Sequence, residues 1–98
     1  MIRFATALRN GTLISSESFN ANCELVKDGV AVSRGYGRGC LIRMDGQNSR
    51  VGHTGSTAGI QARFFLYTRR GLDVVVLSNH DEQAVPVFTA IDSLIRVN

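Results

Sequence analysis

Hydrophobic positions along this chain change period twice, from helical spacing to strand alternation and back to helical spacing. Ile2, Phe4, Ala5 and Leu8 fall on one helical face, and Asn10-Gly11 supplies the stop signal. Leu13-Ile14 leads into Ser15-Ser16-Glu17-Ser18-Phe19, where Ser15 is placed as an N-cap and Glu17 sits favourably in the first turn. Residues 21–32 are the least legible, with Asp28-Gly29 marking a turn. Residues 35–43 then read as one strand whose glycines permit close approach of another backbone. Asp45-Gly46 is a hairpin signal leading towards residues 49–53.

From residue 60 to 67 the chain alternates. Ile60, Ala62, Phe64 and Leu66 share one face, while Gln61, Arg63, Phe65 and Tyr67 share the other. Thr68-Arg69-Arg70-Gly71 turns the chain into the apolar run Val74-Val75-Val76-Leu77, which reads as a central strand covered on both faces. A last helix is expected from about Asp81-Glu82, carrying Val85, Phe88, Ile91, Leu94 and Ile95 at helical spacing, with Pro86 tolerable only near its first turn. These elements predict an α+β fold: an antiparallel sheet of three to four strands packed by an N-terminal and a C-terminal helix. Residues 1–98 form one domain, with no repeat, linker or low-complexity tract.

Composition narrows the class. With 44% hydrophobic and 19% charged residues the chain is an ordinary globular protein. No apolar run approaches the roughly 18 to 20 residues of a membrane span, so no membrane partner is expected. The first residues are too short and too interrupted for a signal peptide, which predicts a cytoplasmic location for the chain as written. Cys23 and Cys40 lack C-x-x-C spacing and read as reduced, buried thiols. His53 and His80 have no second ligand at metal-binding distance in sequence, so neither a metal nor a cofactor is expected. The net charge of +3 rests on arginines scattered along the chain, with only Arg69-Arg70 adjacent. Without aromatic residues alternating with them, that charge reads as a solvated surface and not as a nucleic-acid site.

Residues 51–60 carry the densest chemistry: one histidine (His53), three hydroxyls (Thr54, Ser56, Thr57) and three glycines (Gly52, Gly55, Gly59). Hydroxyls beside an imidazole bind and polarise polar groups, and glycine lets a ligand approach the backbone. The same composition also suits a simple turn between two strands.

The order of features settles on one resemblance. Gly52-His53-Thr54-Gly55-Ser56-Thr57-Ala58-Gly59-Ile60, an aromatic strand, Val74-Val75-Val76-Leu77-Ser78-Asn79 and a closing helix resemble the C-terminal part of the serine beta-lactamase-like hydrolases. That superfamily includes class C beta-lactamases, DD-peptidases (penicillin-binding proteins) and related esterases, often periplasmic or secreted. Residues 51–95 carry most of the likeness, and Gly35-Tyr36-Gly37-Arg38-Gly39 is similar to the family's glycine-rich strand. The resemblance implies that His53 lines the pocket, in the place often held by lysine, and tunes its electrostatics. It implies that Thr54 faces a polar group of the substrate, that Gly55 keeps the strand edge accessible, and that the Ser56 backbone N–H is one of two oxyanion donors.

The family's nucleophile lies in an S-x-x-K motif, and none of the eight serines here is followed three positions later by lysine. Y-x-N is missing too, since Tyr36 and Tyr67 are each followed two positions later by arginine. A substitute pair of Ser78 with His80, oriented by Asp81, is weighed against solvated strand-end residues, the better reading. The expected function is therefore the C-terminal portion of an amide-, lactam- or ester-cleaving hydrolase, inactive alone and partnered by the missing N-terminal half. The alternative is a free-standing, non-catalytic module that forms a homo-oligomer through its uncovered sheet.

Overall fold

A computed structural model describes residues 1–23, the backbone of 26–27 and 30–31, and residues 34–97. The fold is α+β. Helices α1 (Ile2–Arg9) and α2 (Ser16–Asn22) precede a two-stranded ribbon, β1 (Val26–Lys27) with β2 (Val30–Ala31). An antiparallel five-stranded sheet follows, in the order β3 (Arg34–Tyr36), β4 (Leu41–Arg43), β5 (Arg50–Thr57), β6 (Ile60–Tyr67) and β7 (Leu72–Ser78). Helix α3 (Ala84–Arg96) closes the chain. The Asp28-Gly29 turn expected from sequence lies outside the described residues.

Strand β6 organises the layers. Phe65 and Tyr67 project to one side, into a core with Val74, Val76, Ala84, Phe88 and Ile95 that docks α3. Leu66 projects to the other side, into a core with Ala5, Ile42 and Val51, beneath α1 and α2. The alternation read from sequence thus becomes a sheet with helices on both faces. Phe65 meets Phe88 with ring centroids 5.1 Å apart, within the favourable range for aromatic pairs. Ser15 caps α2 as expected, accepting a hydrogen bond from the Ser18 backbone N–H at 3.1 Å. Helix α1 is less well covered. Only Ala5 is buried in it, and Phe4 reaches Phe64 with its ring half-exposed.

Three expectations need correction. Residues 35–43 are not one strand but a hairpin, β3 and β4, closed where the Gly37 N–H donates to the Cys40 carbonyl at 2.7 Å. Gly39, at φ +102°, adopts a backbone shape that side chains disfavour, so glycines that looked like close-approach sites are turn residues. This split raises the strand count to five. Second, β7 is an edge strand and not a central one. Val74 and Val76 are buried under α3, while on the other face α1 reaches Asp73 through Arg9 and Leu77 stays exposed; among the described residues one edge is free. An apolar run reports facial cover and says nothing about lateral neighbours.

Third, α3 starts at Ala84, not at Asp81-Glu82. Glu82 has φ +60°, and Asp81 is drawn away to accept the Gly59 N–H at 2.6 Å. The first turn is capped from outside the helix. Buried Gln61, on β6, accepts the Ala84 and Val85 N–H groups at 2.9 and 3.1 Å, which satisfies donors that every helix start leaves open.

Asp92 ties α3 to the sheet. Its Oδ1 accepts hydrogen bonds from the Tyr67 hydroxyl (2.6 Å) and Arg50 (3.0 Å), and its Oδ2 accepts one from Arg96 (2.7 Å). Burial alone raises the Asp92 pKa, but the Tyr67 and Arg96 hydrogen bonds and both guanidinium charges outweigh it and leave the pKa lowered. Because the folded value lies below the unfolded value of about 3.9, this stabilisation is complete above that pH and is lost as pH falls through the folded value. Asp92→Asn is expected to cost about 2–3 kcal/mol near neutral pH, short of the value for a fully buried pair because the network reaches solvent. It should also flatten the acid limb of stability. Urea titrations from pH 7 down to pH 3 check both, and an unchanged acid limb in the variant contradicts the assignment.

Candidate functional site

Pairing along β5 is uneven. Strand β4 pairs only with Arg50, Val51 and Gly52, whereas β6 pairs with β5 over its whole length to Thr57. Among the described residues, 53–57 therefore have a strand neighbour on one side alone. In an antiparallel ladder successive residues point their N–H and C=O groups alternately to either side, so half of the backbone groups in 53–57 face the unpaired edge. Those residues are the His53-Thr54-Gly55-Ser56-Thr57 segment singled out by sequence.

Gly52 sits where the double pairing ends. A Cβ there would lie 1.9 Å from the Phe64 carbonyl oxygen, so no other residue fits without moving β6. At Gly55 a Cβ would meet nothing nearer than the Ala62 Cβ at 4.0 Å. Gly52 is thus required by packing, while Gly55 leaves its side of the strand open.

Strand parity then divides the motif. His53 pairs with Phe64, which packs under α1 and α2, and Gly55 lies on that same face. Thr54 pairs with Arg63, and Ser56 with Gln61, which caps α3, so these two face the α3 layer. His53 lines a small apolar pocket of about 190 Å³ with Phe4, Phe19, Cys40 and Phe64. Thr54 lines an open cleft of about 520 Å³ on the opposite side. The two side chains share a strand edge and not a pocket. Parity also separates the Ser56 hydroxyl from the His53 imidazole.

The His53 ring is held by two contacts. Its Nδ1 lies 2.6 Å from the Thr54 carbonyl oxygen, and its Nε2 lies 3.0 Å from the Tyr36 hydroxyl. A carbonyl only accepts, so Nδ1 carries the hydrogen, and in the neutral ring the Nε2 lone pair accepts the Tyr36 O–H. The rings meet edge to face, with centroids 5.5 Å apart. Sequence reasoning missed Tyr36 as a partner, because its residue spacing fits no motif. Only the β3–β4–β5 register, which places Tyr36 opposite Leu41 and Leu41 opposite Gly52, brings it alongside.

Other candidates resolve differently. The Ser78 hydroxyl donates to the His80 carbonyl at 3.1 Å and accepts the His80 N–H at 3.0 Å, so it bonds the backbone of His80. With Asp81 committed to Gly59, no Ser-His-Asp relay assembles there. Cys23 and Cys40 are free thiols, as expected, yet they are not isolated: their sulfurs lie 3.4 Å apart. Burial, then the Cys40 contact, pushes the Cys23 thiol up to about 12, which keeps it protonated and unreactive at neutral pH. Among the described residues no group of three His, Cys, Asp or Glu side chains is placed to hold a metal ion.

The tautomer is directly testable. Long-range ¹⁵N–¹H correlation spectra should show His53 protonated at Nδ1 when neutral, and Tyr36→Phe should move the Nε2 resonance while leaving Nδ1–H in place. Detection of the Nε2–H tautomer in the unsubstituted protein contradicts this arrangement. The stability change should be small, about 0.5–1 kcal/mol, as for an exposed hydrogen bond. No protein-family model matches this sequence, and no curated protein sequence matches it.

Proposed function

We propose that this chain forms one wall of a serine beta-lactamase-like acyl-hydrolase site, with the nucleophile supplied by another polypeptide segment. The observation that carries this reading is the unpaired edge of β5 at residues 53–57, coinciding with the His53-Thr54-Gly55-Ser56 motif. A backbone N–H on such an edge is a rigid donor for a developing oxyanion, worth about 3 kcal/mol of barrier in known cases. The Ser56 N–H takes that role in the proposal, and the His53 imidazole, fixed by Tyr36, borders the site.

The same reading limits the isolated chain. Nucleophile and base act as a unit, and a wall without them retains negligible chemistry. Ser56 and His53 point to opposite faces, and Ser78 is engaged with backbone. A fluorophosphonate probe and a fluorescent penicillin are therefore expected to leave every serine unlabelled, as read by intact mass. Stoichiometric acylation of any serine sinks the proposal.

A second reading draws on the free edge of β7. That strand leaves Leu77 69% exposed, and the neighbouring helix exposes Val85 and Leu94. An unpaired strand with apolar side chains favours pairing with another chain. On this reading the protein self-associates through β7. Sedimentation velocity should then show a dimer or larger species that Leu77→Lys converts to monomer, and a compact monomer at high concentration would count against it. No helix among the described residues is long and apolar enough to cross a membrane.

A further inference from the structure

The cleft beneath Thr54, on the α3 face of the sheet, gathers charge that is dispersed in sequence. Arg34 pairs across β3–β4 with Arg43, and Arg43 pairs across β4–β5 with Arg50. Arg63 on β6 projects to the same face, and all four line the cleft. Like charges placed opposite one another on neighbouring strands are destabilising, so a row of three arginines costs the fold stability. Two carboxylates answer them, Asp92 and Asp45, and Arg96 already uses both (2.7 and 2.5 Å). Among the described residues the region thus holds five guanidinium groups against two carboxylates. That local surplus of three equals the net charge of the whole chain, +3.

The guanidinium groups differ in how far they are committed. Arg50 is fixed: it is paired with Asp92 and stacked over Phe65 and Phe88, at 5.1 and 5.3 Å from the ring centroids. Arg43 reaches Asp45 only at 4.0 Å. Arg63 donates to the neutral Ala62 carbonyl, and Arg34 is exposed with no acidic partner among the described residues. Three guanidinium forks therefore present free donors around a cleft that Phe65 and Phe88 also line. A guanidinium matches phosphate and carboxylate oxygens in pairs of parallel hydrogen bonds.

We infer that this cleft binds a small polyanion bearing two or more phosphate or carboxylate groups. Its volume of about 520 Å³ falls within the range of small-molecule sites. Phe65, Phe88 and Thr54 also line it, as does Asp92, whose charge is already shared by Arg50 and Arg96. The site is separate from His53, which faces the other side of the sheet, and it does not rest on the hydrolase reading.

Inorganic pyrophosphate and citrate serve as probes of the two chemistries, titrated calorimetrically at constant ionic strength against a chloride control. Saturable one-to-one binding of either is expected, weakened at least about tenfold in the Arg34→Gln/Arg43→Gln variant, because each lost fork removes charge-assisted hydrogen bonds. Neither arginine is buried, and removing their mutual repulsion should leave the variant folded, which its circular dichroism and thermal midpoint verify. Arg38→Gln/Arg69→Gln, two exposed arginines outside the cleft, should bind as the unsubstituted protein does. The inference is overturned if neither probe exceeds the chloride control, or if the two double variants lose affinity equally. Tighter binding of a single-stranded 20-nucleotide DNA through the same arginines also overturns it, in favour of a nucleic-acid surface.

Discussion

Strand β6 has to bury both of its faces at once, and the rest of the molecule follows from that demand. Phe65 and Tyr67 need cover on one side, and Leu66 with Phe64 needs it on the other. Removing one large apolar side chain from water is worth about 1.5–3 kcal/mol, and a 98-residue domain has few such opportunities. The chain meets the demand by wrapping helices on both sides, α1 and α2 over one face and α3 over the other. Once β6 is enclosed in this way, β5 and β7 are fixed beside it by their short connections, and the positions of every candidate site residue are set.

The two sides are not equally secured. On the α3 face the apolar core is joined by a polar lock: Asp92 accepts hydrogen bonds from Tyr67, Arg50 and Arg96, and so links α3 to β5 and β6. Gln61 does the same at the other end of the helix by capping its first turn. On the opposite face α1 buries only Ala5, and its aromatic residue Phe4 stays half-exposed. Charge is distributed with the same asymmetry. The basic surplus collects on the α3 side, where two aspartates are shared among five arginines. Packing specificity and candidate ligand chemistry therefore sit on one side of the sheet, and the His53 side chain is directed to the other.

Much of the fold was legible because it depends on local pattern. The alternation of residues 60–67, the Asn10-Gly11 stop, the Ser15 cap and the period of Phe88, Ile91 and Ile95 all produce the elements they imply. The errors share a cause. Glycines at 37 and 39 make a turn where the composition also suited a strand, and only the backbone conformation distinguishes the two. The valine run suits a central strand, although α3 packing on Val74 and Val76 suffices to place it at the edge. Helix α3 starts later than Asp81-Glu82 implies because Asp81 and Gln61 form contacts with partners more than twenty residues away.

For the candidate site, sequence determined the residue types and their spacing, and therefore the parity that sends His53 and Thr54 to opposite faces once the segment is a strand. It also determined that no S-x-x-K nucleophile accompanies them. It did not determine which edge of that strand would be unpaired, since this depends on β4 beginning only at Leu41, opposite Gly52. Nor did it reveal Tyr36 beside His53, or the convergence of Arg34, Arg43, Arg50 and Arg63, which stand at irregular intervals along the chain. Antiparallel register creates those neighbours: it joins residues by distance from each turn, a quantity that single-residue patterns do not encode.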